Sequence, residues 1–124
     1  MSGKTVLYVE DNEFNRKIVR QLLSVTTYKL LEATDGEQGV ALALESRPDL
    51  ILMDIQLPKL SGLDATRRIR QDARTAHIPI IAVTSFALSG DDQKALEAGA
   101  SAYLAKPYSP RQMLELIRTL VPET

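Results

Sequence analysis

Three acids, a threonine and a lysine in this chain each stand at the end of a short apolar run. Glu10-Asp11 follow Thr5-Val6-Leu7-Tyr8-Val9, and Asp54 closes Asp49-Leu50-Ile51-Leu52-Met53. Thr84-Ser85 follow Pro79-Ile80-Ile81-Ala82-Val83, and Lys106-Pro107 follow Ala102-Tyr103-Leu104-Ala105. Carboxylates that converge repel one another and call for a cation. A hard divalent ion suits them, and Mg2+ takes one or two carboxylates while keeping waters or phosphate oxygens. A lysine adds a positive point charge, and a threonine adds a hydroxyl that donates to an anionic oxygen. Such a set suits phosphoryl transfer, which depends on positioning and charge neutralisation. A carboxylate can itself be the nucleophile and form an aspartyl phosphate. Asp54, central among the runs, is the candidate nucleophile, with the acids at 10 and 11 holding the metal.

The set works only if the chain brings those run ends together. Beyond Glu13, the residues Ile18, Val19, Leu22 and Leu23 recur at helical spacing. Residues 28–33 read as a weaker strand. Residues 38–45 read as a helix through Val40, Ala41 and Leu44, stopped at Arg47-Pro48. A proline-containing loop follows Asp54, then a helix over 63–71. A further helix spans Asp91–Ala98 with a Gly99 stop. Ser109-Pro110 give N-cap and N1 signals for the last helix, whose face is Met113, Leu114, Ile117, Leu120 and Val121. Near-continuous apolar strands alternating with helices predict an α/β fold with a parallel sheet covered on both faces. Right-handed crossovers reduce the choices to a flavodoxin-like, doubly wound (βα)5 domain with five strands in the order 2-1-3-4-5. Ligands of such sheets bind beyond the carboxyl ends of the strands, near the switch point between the first and third. Glu10, Asp11, Asp54, Thr84 and Lys106 all fall on that edge.

Taken singly, each has an ordinary structural reading. Asp11 is a possible N-cap ahead of Glu13, Asp54 a cap of the loop before Pro58, Thr84 a strand-end threonine, and Lys106 a solvated lysine. Their shared edge, with no comparable set at the opposite strand ends, favours a site. His77, alone just before the fourth strand, reads as a surface residue. Arg67-Arg68-Ile69-Arg70 reads as a solvated helix face. No glycine-rich phosphate loop or dinucleotide fingerprint is present.

Composition bounds the rest. The 124 residues fit one domain, expected to span 1–124 with no output domain. Fifteen Lys+Arg against sixteen Asp+Glu leave a formal charge of −1, which offers no basic face for nucleic acid. The absence of cysteine removes disulfides, thiolate metal sites and thiol catalysis. No apolar run approaches the ~18–20 residues of a membrane span, and Met1-Ser2-Gly3-Lys4 does not read as a signal peptide. The expectation is a cytoplasmic domain.

Over nearly the whole chain the sequence resembles the receiver domain of two-component response regulators. The matching pieces are Val9-Glu10-Asp11-Asn12, Met53-Asp54-Ile55-Gln56-Leu57-Pro58 with Gly62 beyond, Val83-Thr84-Ser85-Phe86-Ala87, and Tyr103-Leu104-Ala105-Lys106-Pro107. The wording is similar to DivK-like single-domain regulators of the bacterial cell cycle, and receivers attached to hybrid kinases use similar wording. The resemblance implies that Asp54 accepts a phosphoryl group from a histidine kinase or histidine phosphotransfer protein. It implies Mg2+ on Asp11, Asp54 and the Gln56 carbonyl, with Glu10 acting through a metal-bound water. Thr84 and Lys106 would bind phosphoryl oxygens, Tyr103 would be the aromatic switch, and the Lys106-Pro107 bond would be cis. The signal would pass to a downstream protein target by biasing a pre-existing equilibrium, with the chain a monomer or weak dimer. Kinase specificity would lie on the first helix, at Glu13, Phe14, Arg16, Lys17 and Arg20. Two positions depart from the family: Glu10 where aspartate is frequent, and Ser85 where alanine is usual. Competing readings are a receiver-fold binding module that works without phosphorylation and an aspartate-nucleophile hydrolase. The hydrolase lacks its second acid, because Gln56 stands two residues after Asp54. A flavin carrier is weaker still, since Glu10-Asp11 would repel its phosphate.

Overall fold

The computed structural model describes residues 3–84, 91–106 and 108–123, with only the backbone at 91 and 92. The expectations for Ser85, Phe86 and Ala87, and for a cis bond at Pro107, lie outside the described residues. Among the described residues strands and helices alternate: β1 Thr5–Val9, α1 Glu13–Leu23, β2 Lys29–Ala33, α2 Gly36–Ser46, β3 Leu50–Asp54, α3 Gly62–Gln71, β4 Ile80–Thr84, α4 Asp91–Ala98, β5 Ala102–Ala105 and α5 Pro110–Leu120. All strand pairs are parallel, in the order β2-β1-β3-β4-β5.

Alternation along the strands divides the core into two layers. Val6 and Tyr8 of β1, Leu50 and Leu52 of β3, and Ile81 and Val83 of β4 meet α1 and α5 through Val19, Leu23, Met113 and Ile117. Leu7, Val9, Ile51, Met53 and Ile80 meet α2 and α3 through Ala43, Ala65 and Ile69. A smaller cluster of Ile55, Ala82, Ala95 and Ala100 seats α4. The central strands β1, β3 and β4 are covered on both sides, which is why their sequences read as continuous apolar runs. The edge strands β2 and β5 are half-exposed, which is why β2 gave the weaker signal.

Local chemistry fixes the helix ends. Asn12, Asp35, Ser61 and Ser109 cap α1, α2, α3 and α5 by accepting backbone N–H groups. In α5, Ser109 and Gln112 form a capping box, with Pro110 in the first turn. Asn12, not Asp11, is therefore the N-cap of α1, and Asp11 is left exposed beyond β1. The helix predicted over 38–45 begins two residues earlier, because Asp35 receives the Gln38 N–H. Its fully buried residues are Gly36, Gly39 and Ala43; Val40 packs partly buried against the same layer, Leu44 is half-buried and Ala41 is exposed. A Cβ on Gly39 would lie 2.8 Å from a Val9 methyl, so α2 rests on β1 through Gly39. Gly62 has the same role beside the nucleophile candidate, where a Cβ would lie 2.0 Å from the Asp54 carbonyl oxygen.

Candidate functional site

The site is assembled at the carboxyl ends of β1, β3, β4 and β5. β1 ends in Val9, so Glu10 and Asp11 emerge above the sheet; β3 carries Asp54 as its last residue. Glu10 is 1 % exposed and Asp54 4 % exposed, whereas Asp11 faces solvent. One carboxylate oxygen from each of the three lies within 4.8 Å of the others. Lys106 Nζ enters between the two buried acids, 3.3 Å from Glu10 Oε1 and 3.5 Å from Asp54 Oδ2. Asp54 Oδ1 accepts the Gln56 N–H at 3.0 Å. The loop-capping contact foreseen for Asp54 is thus present, but it occupies one oxygen of a buried carboxylate that also faces Glu10 and Lys106.

The electrostatics follow from two buried anions sharing one cation. Burial, and then the Glu10 charge, push the Asp54 carboxyl from 3.8 up to about 7. Burial also works against ionisation of Glu10. There, hydrogen bonding with Asp54, the Lys106 charge and the Asn12 N–H outweigh it and hold Glu10 below the usual carboxylate range. Burial works against the Lys106 ammonium as well, but the two carboxylates override it and keep that cation charged beyond its ordinary range. Two buried acids against one lysine, with a third acid at the rim, form a donor set that fits a hard divalent cation.

Thr84 is fully buried at the end of β4, and its carbonyl accepts the Lys106 N–H at 2.6 Å. The β4–β5 register sets Thr84 opposite Ala105 and Tyr103 opposite Ala82, so Thr84 and Tyr103 are diagonal neighbours. Tyr103 is 41 % exposed, and Gln56 is exposed just beyond β3.

The five α1 positions divide in two. Phe14 is 69 % exposed, and Glu13 and Lys17 also face outward. Arg16 is largely buried: it donates to the Glu10 carbonyl at 2.8 Å and pairs with Glu13 and Glu32. Arg20 grips Glu32 through two hydrogen bonds, at 2.8 and 2.7 Å. His77 is on the surface. The basic run on α3 is only partly a solvated face. Arg67 and Arg68 are exposed, but Arg70 turns in and donates to the carbonyls of Gly99, Ala76 and Ile78, tying α3 to the segments before β4 and β5.

Three residues of the site carried no sequence motif. Tyr8, fully buried, donates its hydroxyl to Glu10 Oε1 at 3.1 Å. Asn15 reaches the same oxygen at 3.5 Å. Tyr108 lies against Tyr8 and, with Asn15, Ile18, Lys106 and Pro110, lines a cavity of about 430 Å³ between α1 and α5. A tyrosine inside an otherwise apolar strand needs a partner for its hydroxyl, and that requirement was the available signal.

A doubly wound parallel sheet with buried acids and a lysine at the switch-point edge defines a flavodoxin-like α/β domain with a cation-compatible acidic site. Residues 6–118 match the response regulator receiver domain family, and the chain belongs to it. It is 45 % identical over 116 residues to the polar-differentiation response regulator DivK of Brucella anthropi, covering 94 % of each chain. DivK of Brucella ovis is 44 % identical over the same length. Among solved structures, the receiver domain of sensor histidine kinase PA1611 from Pseudomonas aeruginosa superposes with a TM-score of 0.89 at 39 % identity, over 95 % of this chain and 97 % of that one. That structure has a magnesium ion coordinated in its active-site cleft. The chemotaxis response regulator CheY4 of Vibrio cholerae gives a TM-score of 0.89 at 26 % identity, over 95 % and 98 %.

Proposed function

We propose that this receiver domain accepts a phosphoryl group on Asp54 from a phosphohistidine protein, a histidine kinase or histidine phosphotransfer protein. It then signals to a downstream protein in cell-cycle or cell-polarity control. The observation that carries this reading is the buried triangle of Glu10, Asp54 and Lys106, closed by Asp11 at the rim. The DivK relatives support the pathway class.

An Asp54 carboxylate oxygen attacks the phosphorus, the P–N bond to the donor imidazole breaks, and that nitrogen keeps the bonding electron pair, the ring leaving as neutral imidazole with the proton its other nitrogen already carries. The product is an acyl phosphate. Asp11, Asp54 and the Gln56 carbonyl would hold Mg2+, with Glu10 acting through a water. The ion neutralises charge on the transferring group and on the carboxylates. Lys106, already between the two acids, is placed to follow the new charge. The phosphoryl group adds close to two negative charges and three acceptor oxygens, which draw on the Lys106 ammonium and the Thr84 hydroxyl. Lys106 and Thr84 are joined through their backbones, so both strand ends respond together. Movement of Thr84 then frees space for Tyr103 to turn inward from its exposed position. The domain catalyses only its own phosphorylation and dephosphorylation, and acts in the cytoplasm as a monomer or weak dimer. Among the described residues no helix is long and apolar enough to cross a membrane.

The test is intact mass after incubation with Mg2+ and a small phosphodonor such as acetyl phosphate. Wild type gains one phosphoryl group and Asp54→Asn gains none. An unmodified wild type refutes the proposal.

A further inference from the structure

We propose that Tyr8 is a positioning residue for Glu10, and that its phenol is what allows a glutamate to serve at the end of β1. The inference rests on reading Glu10, Asp11 and Asp54 as a divalent-cation site.

A glutamate carries one more rotatable bond than an aspartate, so its carboxylate must be held if it is to meet an ion in a fixed place. Three side chains reach Glu10 Oε1: Tyr8 Oη at 3.1 Å, Lys106 Nζ at 3.3 Å and Asn15 Nδ2 at 3.5 Å. They are not equivalent. Lys106 is shared with Asp54 and must follow charge onto a phosphoryl group. Asn15 sits at the limit of hydrogen-bond distance. Tyr8 alone of the three is fully buried, in the core layer beneath α1 and α5 and opposite Leu52 of β3. It lies two residues before Glu10, which stands just past the end of β1 with its N–H still paired to the Ala33 carbonyl, so the two side chains leave the same side, and the length of a phenol spans the gap. A phenylalanine would fill that core equally well. A buried hydroxyl there is useful only if it is bonded; the Glu10 carboxylate accepts from it at 3.1 Å, and the Tyr108 hydroxyl is its second polar partner. Tyr108, packed against Tyr8, backs the contact from the α5 side.

Outer partners that orient a metal-binding carboxylate are worth about 10–100-fold in metal affinity. Tyr8→Phe removes one oxygen and keeps the ring, and should weaken Mg2+ binding about tenfold by calorimetry. Aspartate at position 10 draws the carboxylate back from the phenol. In a Glu10→Asp background, Tyr8→Phe should therefore change Mg2+ affinity less than about twofold, and the double-mutant cycle isolates this coupling. Melting in chelator confirms that each variant is folded. In wild type, Mg2+ should also perturb the tyrosine ultraviolet difference spectrum, with the change lost in Tyr8→Phe. Affinity unchanged by Tyr8→Phe, an equal loss in both backgrounds, or a spectrum that stays silent while Mg2+ binds would each overturn the role of Tyr8 and leave the metal site standing. A wild type that takes up no Mg2+ would overturn the site reading and this inference together.

Discussion

Asp54 must carry charge where burial and a neighbouring anion resist it, and Asp54→Asn isolates that conflict at constant shape. In the metal-free protein its carboxyl is raised from 3.8 to about 7. Each unit corresponds to about 1.4 kcal/mol, so ionised Asp54 costs the fold at most about 4 kcal/mol. Relaxation of Glu10 and Lys106 brings the expected value to about 2–4 kcal/mol. Because the folded-state value lies above the unfolded one, this group's stabilising contribution is complete at pH values below about 4 and is lost as pH rises through about 7. Glu10, Glu32 and Asp72 run the other way. Held low, they stabilise the fold above the ordinary carboxylate range and lose that contribution only as pH falls through their lowered values. From about pH 4.5 to about pH 7, Asp54 therefore dominates the slope. For a chain of 124 residues, 1 kcal/mol moves the melting temperature by about 3–5 °C. In chelator at about pH 8.5, Asp54→Asn should melt on the order of 10 °C above wild type, and the two should converge as pH falls toward about 4. Saturating Mg2+ should raise wild type and leave the variant nearly unmoved. Circular dichroism melts with and without Mg2+ decide it. A wild-type melting temperature that stays flat across the window, or a variant no more stable than wild type at high pH, would refute the electrostatic account.

The remaining predictions concern the scaffold and the switch. Gly62→Ala forces a Cβ against the Asp54 carbonyl oxygen, 2.0 Å away, so the β3–α3 loop must move; urea unfolding should show a loss of more than about 2 kcal/mol, with Mg2+ affinity falling as well. Ile117→Ala empties a fully buried position under α5 and should cost about 2–5 kcal/mol by the same assay. Tyr28→Phe removes the buried hydroxyl that donates to the Val121 carbonyl and holds the end of α5 to β2; about 1 kcal/mol should be lost, without effect on phosphorylation. Tyr103→Trp places a reporter on β5, and its fluorescence should shift when beryllofluoride and Mg2+ are added; an unchanged spectrum would count against an inward turn.

The fold was legible because its most buried strands are also its most apolar. The runs at β1, β3 and β4 marked both the strands and the edge where the acids gather, since a parallel sheet places every carboxyl end on one side. Boundaries slipped where the signal was polar or small. The Asp35 cap and the glycine face of α2 have no apolar periodicity, so the seat of α2 on β1 could not be read from Val40 and Leu44. Side-chain commitments were less legible still. Arg16, Arg20 and Arg70 look alike in sequence, yet Arg16 and Arg70 bind backbone carbonyls and Arg20 is closed on Glu32, because each partner lies outside the arginine's own helix and is placed by the fold. Tyr8 was hidden as one more core residue. Only the register that brings Glu10 above it reveals what its hydroxyl does.

The central claim is that Asp54 receives the phosphoryl group, and the most direct test traps that bond. After phosphorylation with Mg2+ and acetyl phosphate, borohydride reduces an acyl phosphate to an alcohol, and peptide mass spectrometry locates the altered residue. The account predicts reduction at Asp54 alone, dependent on Mg2+ and absent in Asp54→Asn. Reduction at Glu10 or Asp11 in the wild type, or no reduced residue in a protein that has gained a phosphoryl group, would contradict it.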